Sequence, residues 1–139
     1  VCRMLNPAQA PASVQGVFHP TYRLLQADAA ALLGWHALTV IKGGGGEFER
    51  NPAKAVAAFG LRDGTLWQQS FAARQHDARR LSDTDGPGLS QVVSSDDTPA
   101  FETAIITGTA ELALGTLGQP EARQAALSLW TNRTTTIAA

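Results

Sequence analysis

The sequence predicts an α/β fold in which helices flank part of a mostly parallel sheet and two further helices form a C-terminal hairpin. Three observations predict it: two β-like runs separated by a helical one, a glycine-rich turn after the second run, and two proline-started helical segments near the end. The 139 residues suffice for one domain with a real core. A composition of 44% hydrophobic and 17% charged residues is typical of a globular chain rather than a disordered one.

The first half of the chain reads as strand, helix, strand. The run 13–18, SVQGVF, is rich in β-formers and is followed by Pro20, which suits the first turn of a helix. A helical spacing of three and four residues follows, and Gly34 stands where a glycine cap belongs. The apolar positions of this helix are Tyr22, Leu25, Ala29, Leu32 and Leu33. The run 36–42 then returns to a β pattern, and two strands joined in this way are normally parallel neighbours.

The second half begins with a hairpin signal. Residues 54–71 contain two β-like runs on either side of the turn sequence RDG. Residues 72–93 are polar, with SDTDGPG at their centre, and are expected to be mainly loop. A helix is predicted from about Pro99 to Leu117 and another from near Pro120, and the two are expected to pack as a hairpin.

Hydropathy, cysteine content and charge exclude several classes of protein. No apolar run approaches the roughly 18 residues of a membrane helix, and the first residues lack a secretory signal, so we expect a cytoplasmic protein with no membrane partner. Cys2, the single cysteine, has no disulfide partner and no zinc-ligand spacing. The net charge is −1, but residues 42–80 carry seven basic against four acidic residues. That mildly positive middle segment is a candidate for contact with anions.

Residues 41–52, IKGGGGEFERNP, are the main candidate for a ligand loop. Ligands of open parallel sheets bind at the carboxyl ends of strands, where these glycines are expected to lie. Glycines allow backbone N–H groups to converge on an anion, because no Cβ obstructs the approach. The pattern matches neither GxGxxG nor the P-loop motif, so a plain flexible turn stays open. Likewise, Glu47 and Glu49 either offer oxygens to a hard cation or are simply solvated. No residue is assigned a catalytic role.

Four segments in order resemble a known family: MLNPAQAP, VQGVFHPTYRLLQADAAALLG, ALTVIKGGGGEFERNP and AIITGTAELALG. They look like the C-terminal part of the anthranilate phosphoribosyltransferase-like family, glycosyltransferase family 3, and most like its divergent branch related to the bacterial nucleic-acid-binding protein YbiB. The resemblance implies a homodimer with a phosphoribosyltransferase/nucleoside phosphorylase-like fold. Residues 1–139 would then be the latter portion of the α/β domain, with the helical domain and the donor-binding loop upstream of Val1.

The resemblance also implies a chemistry, the transfer of phosphoribosyl from phosphoribosyl pyrophosphate to an aromatic amine with magnesium as cofactor. Because the family's own pyrophosphate loop should lie upstream of Val1, the phosphate-binding candidates of this chain are those of its own glycine loop: Lys42, Gly43, Gly44, Gly45 and Gly46. The metal ligand that the resemblance implies is Glu49, which alone keeps its place in the match. Glu47 is the second candidate, and it would have to bend inward to take the place of the missing aspartate. Active members carry a histidine at the position of Lys42 and an aspartate at that of Phe48. Because phenylalanine supplies no oxygen to a cation, we expect transfer activity to be lost here.

A second hypothesis is that the same fold serves a DNA- or RNA-binding protein without sequence preference. Lysine and arginine contacts to phosphates supply most of the affinity in such binding. The candidate residues are Lys42, Arg50, Lys54, Arg79 and Arg80. Basic residues at this density often form only a solvated surface, which stays open as the alternative.

Overall fold

The structure, a computed structural model, describes residues 4–75, 92 and 98–133. Their elements are β1 (Ala12–Val17), α1 (Tyr22–Leu32), β2 (Ala37–Lys42), β3 (Val56–Arg62), β4 (Thr65–Phe71), α2 (Ala100–Thr116) and α3 (Ala122–Thr131). The predicted α/β class is confirmed. Most of the segment predicted as a polar loop lies outside these residues. Within them, every helix is too short or too polar to cross a membrane.

The four strands form one mixed sheet in the order β1-β2-β3-β4. β1 and β2 are parallel, so the predicted strand-helix-strand unit is confirmed. β3 and β4 are antiparallel and are joined by a tight turn in which Asp63 and Gly64 both have positive φ, which confirms the predicted hairpin. β2 and β3 are also antiparallel. Since one of the three pairings in the described sheet is parallel, the prediction of a mostly parallel sheet is not confirmed.

Both faces of β2 are covered. Leu38 and Val40 share a buried cluster with Ala30 of α1, whereas Ile41 packs with Leu112 of α2 in a second cluster. Successive side chains of a strand point to opposite faces, so α1 and α2 lie on opposite sides of the sheet. α3 packs against α2, as expected for a C-terminal helical hairpin. The sheet is therefore the middle of three layers.

A buried pair of hydroxyls joins α2 to β2. The hydroxyl oxygens of Thr116 and Thr39 are hydrogen-bonded at 2.7 Å, and Thr116 Oγ1 also lies 2.7 Å from the carbonyl oxygen of Leu112. Both threonines are almost fully buried. Loss of either hydroxyl would remove a hydrogen bond that lies in the core, which costs more than the loss of a solvated one. This contact fixes how α2 lies across the sheet.

The apolar stripe that predicts α1 is not the side of the helix that the structure buries. Leu25 and Leu32 are 61% and 91% exposed, whereas the buried positions are Ala27 and Ala30. Alanine side chains allow the helix axis to approach the sheet closely. The leucine spacing thus indicates the helix correctly but not its orientation.

Leu38→Ala is expected to lower the free energy of unfolding by about 2–4 kcal/mol, because removing a fully buried leucine leaves a cavity. The matched control, Leu32→Ala on the exposed side of α1, is expected to change it by less than about 0.5 kcal/mol. Urea denaturation measures both values. Similar losses in the two variants would contradict the orientation of α1.

Candidate functional site

The glycine loop starts at the carboxyl ends of the two parallel strands. The N–H of Gly43 donates to the carbonyl of Val17 at 3.0 Å, which joins the start of the loop to the end of β1. A Cβ on Gly16 would lie 2.0 Å from the carbonyl carbon and oxygen of Glu47, and one on Gly43 would lie 2.1 Å from the same oxygen. No side chain fits at either position without moving the backbone. Glycines at 16 and 43 therefore allow the loop to fold back on the sheet.

The carboxylate of Glu47 lies directly in front of two glycine amides. Its Oε1 accepts a hydrogen bond from the N–H of Gly44, and its Oε2 accepts one from the N–H of Gly45, both at 2.6 Å. We call these two N–H groups the amide pair. Successive backbone N–H groups that converge on one anion are a recurring way of binding phosphates. In this structure the anion is a side chain of the loop itself.

The two loop carboxylates have pKa values shifted in opposite directions. Burial alone would raise the pKa of Glu47, but hydrogen bonds from the backbone N–H groups of Glu47, Gly45 and Gly44, together with the charge of Lys42, outweigh it and lower that pKa. Burial, followed by the negative charge of Glu47, raises the pKa of Glu49. Glu47 is therefore the more acidic of the two loop carboxyl groups.

The residues of the loop do not fit a magnesium site in this arrangement. Both oxygens of Glu47 are already hydrogen-bonded to the amide pair, and Phe48 packs against Ile41 and Leu112 in the core. Glu49 offers the second loop carboxyl group, and burial and the charge of Glu47 raise its pKa. Among residues 4–75, 92 and 98–133, no group of three or more histidine, cysteine, aspartate or glutamate side chains could hold a metal ion.

The loop forms one wall of an open pocket of about 690 Å³, here called the glycine-loop pocket. Glu47 and Glu49 line it on the loop side, and three basic residues, Arg23, Lys42 and Lys54, also line it. Both lysines are exposed. The volume falls within the range of small-molecule sites, about 300–1,000 Å³. The pocket therefore combines convergent amides with a surplus of positive charge.

Arg23 lines the pocket although nothing in the local sequence marks it. Its Nε donates to the carbonyl of Pro20 and its Nη1 to the carbonyl of Ala57, each at 3.0 Å. The guanidinium carbon also lies 4.6 Å from the ring centroid of Phe59. These contacts hold a positive charge in a fixed place at the pocket. They depend on how α1 crosses the sheet, which the sequence does not reveal.

Arg50, a candidate for phosphate contact, is only 2% exposed. Its guanidinium donates to a carboxylate oxygen of Glu111 at 3.1 Å and to the carbonyl of Ala72 at 3.2 Å, and its backbone N–H donates to the hydroxyl of Thr109. Arg74 contacts the same oxygen of Glu111. Arg50 thus joins the end of the glycine loop to α2 and to the end of β4. Its donors are directed into the protein and not to a surface ligand.

The other sequence candidates lie in the loop, at the pocket or outside the described residues. Gly46 has a φ of 93° and turns the loop before Glu47. Lys42 and Lys54 both line the glycine-loop pocket. Arg79 and Arg80 lie outside the described residues.

Comparison with models of known protein families gives no match, and comparison with curated protein sequences gives none either. The resemblance to glycosyltransferase family 3 therefore stays a prediction, and the geometry of the pocket is what bears on function.

Arg50→Ala is expected to destabilise the fold by about 2 kcal/mol, because it removes one of the two arginines that contact Glu111 and leaves the carbonyl of Ala72 without its donor. Lys54→Ala, at an exposed position that lines the glycine-loop pocket, should change the unfolding free energy by less than about 0.5 kcal/mol. Urea denaturation compares them. A cost for Arg50→Ala as small as that of the lysine variant would show that Arg50 is not structural.

The stabilising contribution of the Glu47 carboxylate is expected to depend on pH. Because its pKa is lower in the folded chain, the contribution is complete above the ordinary glutamate range and is lost as pH falls through the folded pKa. The difference in unfolding free energy between wild type and Glu47→Gln should therefore shrink on acidification. Glu49→Gln, whose parent carboxyl has a raised pKa, should instead become relatively more favourable as pH rises. A Glu47 difference that is constant with pH would contradict the amide contact.

Proposed function

We propose that the chain binds a phosphate-bearing small molecule in the glycine-loop pocket. The observation that supports this most directly is the amide pair, whose two N–H groups each lie 2.6 Å from an anionic oxygen at the ends of two parallel strands. Backbone amides held in this way stabilise phosphate oxygens by hydrogen bonding and need no metal ion to do so. The site is therefore suited to binding even where cation ligands are lacking.

The charge and size of the pocket support the same class of ligand. Lys42 and Lys54 can each place an ammonium group against a phosphate, and Arg23 supplies a charge that its hydrogen bonds hold in place. A pocket of about 690 Å³ accepts a phosphorylated sugar or a mononucleotide. A ligand with several negative charges would gain from all three cations.

Phosphoribosyl pyrophosphate is the ligand that agrees both with this pocket and with the family resemblance noted in the sequence. Within the proposal, the chain is the later part of a cytoplasmic, homodimeric protein of the phosphoribosyltransferase/nucleoside phosphorylase-like type. β1 pairs only with β2 among the described strands, so its other edge could receive the further strands of a mostly parallel sheet. We propose binding and not transfer, because Glu47 is engaged by the amide pair and Phe48 packs in the core.

The described residues give less support to nucleic-acid binding. Of the five basic candidates, Arg50 is buried, and Lys42 and Lys54 are the exposed members in the described part. Affinity for a nucleic-acid backbone grows with the number of phosphates that are neutralised. Two lysines beside a recess are a better match to one compact ligand than to a long chain of phosphates.

Calorimetric titration with phosphoribosyl pyrophosphate, with divalent cations chelated, tests the proposal. Wild type should bind, and Lys42→Gln should weaken binding about tenfold, since it removes one close charge contact. Arg133→Gln, which removes a charge that does not line the pocket, should leave the affinity unchanged. A single-stranded oligonucleotide is the second probe. If it binds with a steep salt dependence while the sugar phosphate does not bind, the nucleic-acid hypothesis replaces this one.

A further inference from the structure

We propose that Glu47 is a built-in competitor for the phosphate subsite: its carboxylate uses the amide pair that a ligand phosphate would use, and it must leave when the ligand binds. The inference rests on the proposed function, because it concerns how ligand enters the same pocket. It assigns Glu47 a role in setting affinity, and not the role of metal ligand that the sequence suggested.

The first support is that the amide pair can serve one anion at a time. Each N–H of Gly44 and Gly45 carries a single hydrogen, and each already donates to a different oxygen of the same carboxylate at 2.6 Å. A phosphate would present two oxygens to the same donors in the same way. Ligand and Glu47 therefore compete for identical hydrogen bonds.

The second support is that the backbone of Glu47 is held while its side chain can turn. The Glu47 carbonyl packs so closely on Gly16 and Gly43 that neither could carry a Cβ. The side chain is only half-buried, and it has three rotatable bonds. Displacement therefore needs a rotamer change and leaves the path of the loop intact.

The consequence is selection by charge. A carboxylate attached next to the amide pair acts at a high effective concentration, so a weak or singly charged anion displaces it poorly. A dianionic phosphate or a diphosphate that reaches Lys42 and Lys54 brings more negative charge to these lysines than the single charge of Glu47 does. The observed affinity is the intrinsic affinity multiplied by the fraction of time for which Glu47 leaves the amides free. The pocket thus rejects simple carboxylates and admits multiply charged phosphates.

The test is calorimetric titration of inorganic pyrophosphate into wild type and three variants. Glu47→Gln preserves size but removes the charge that the amides hold, and should tighten binding about tenfold. Glu49→Gln is the matched control, because it removes a charge from the same pocket without touching the amide pair. It should tighten binding only about twofold, the effect of a more distant charge. Glu47→Asp keeps the charge but is one methylene shorter and cannot reach both amides, so it should also tighten binding relative to wild type.

The possible outcomes separate the two proposals. If wild type binds pyrophosphate and Glu47→Gln gains no more than Glu49→Gln, the competitor role is wrong while phosphate binding stands. If Glu47→Asp binds as wild type does, the gain in Glu47→Gln is a general charge effect and the competitor role is again wrong. Binding by Glu47→Gln where wild type shows none supports the competitor role in its strongest form. If all four folded proteins fail to bind, both proposals are overturned.

Discussion

The close approach of the Glu47 backbone to Gly16 and Gly43 is the constraint on which the site depends. It turns the loop back on the end of the parallel strand pair, so that the Glu47 carboxylate reaches the amide pair. The side chains that follow Glu47 are buried in different places: Phe48 packs in the core, and Arg50 is buried against α2. One steric contact therefore decides which side chains of the loop serve the fold and which line the pocket.

The same contact is the reason for proposing binding rather than metal-assisted transfer. A carboxylate can hold a cation or accept hydrogen bonds from amides, and Glu47 does the second here. Glu49 is the other ligand considered for the metal site that the resemblance implies. Its pKa is raised because it is partly buried and lies near the charge of Glu47. The positive groups at the pocket, Lys42, Lys54 and Arg23, are left to attract an anion from solution.

The sequence predicts the elements well because their signals are local. Runs of β-forming residues, helical spacing and the Asp63-Gly64 turn lie within a few residues of the structure that they specify. The pairing of Arg50 with Glu111 joins positions 61 residues apart and has no local signal. The buried side of α1 is also missed, because its contact residues are small alanines such as Ala30, whereas the leucines dominate the hydrophobic pattern.

For the candidate site, residue types and chain order predict the glycine loop and its place at the strand ends. The sequence does not predict whether the Glu47 carboxylate binds a metal ion or a pair of backbone amides, because both attract a carboxylate. The partner of Glu47 depends on how the loop folds back over the sheet. There the carbonyl of Glu47, in the loop after β2, packs on Gly16 near the end of β1. Only the three-dimensional arrangement supplies it.

The most direct test of this account is the proton chemical shift of the Gly44 and Gly45 amides in a ¹H–¹⁵N NMR spectrum. Amides that donate short hydrogen bonds to a carboxylate resonate downfield of ordinary loop amides. The account predicts that both signals are shifted downfield at neutral pH and move upfield together in Glu47→Gln. Two ordinary glycine signals that do not respond to that substitution would contradict it.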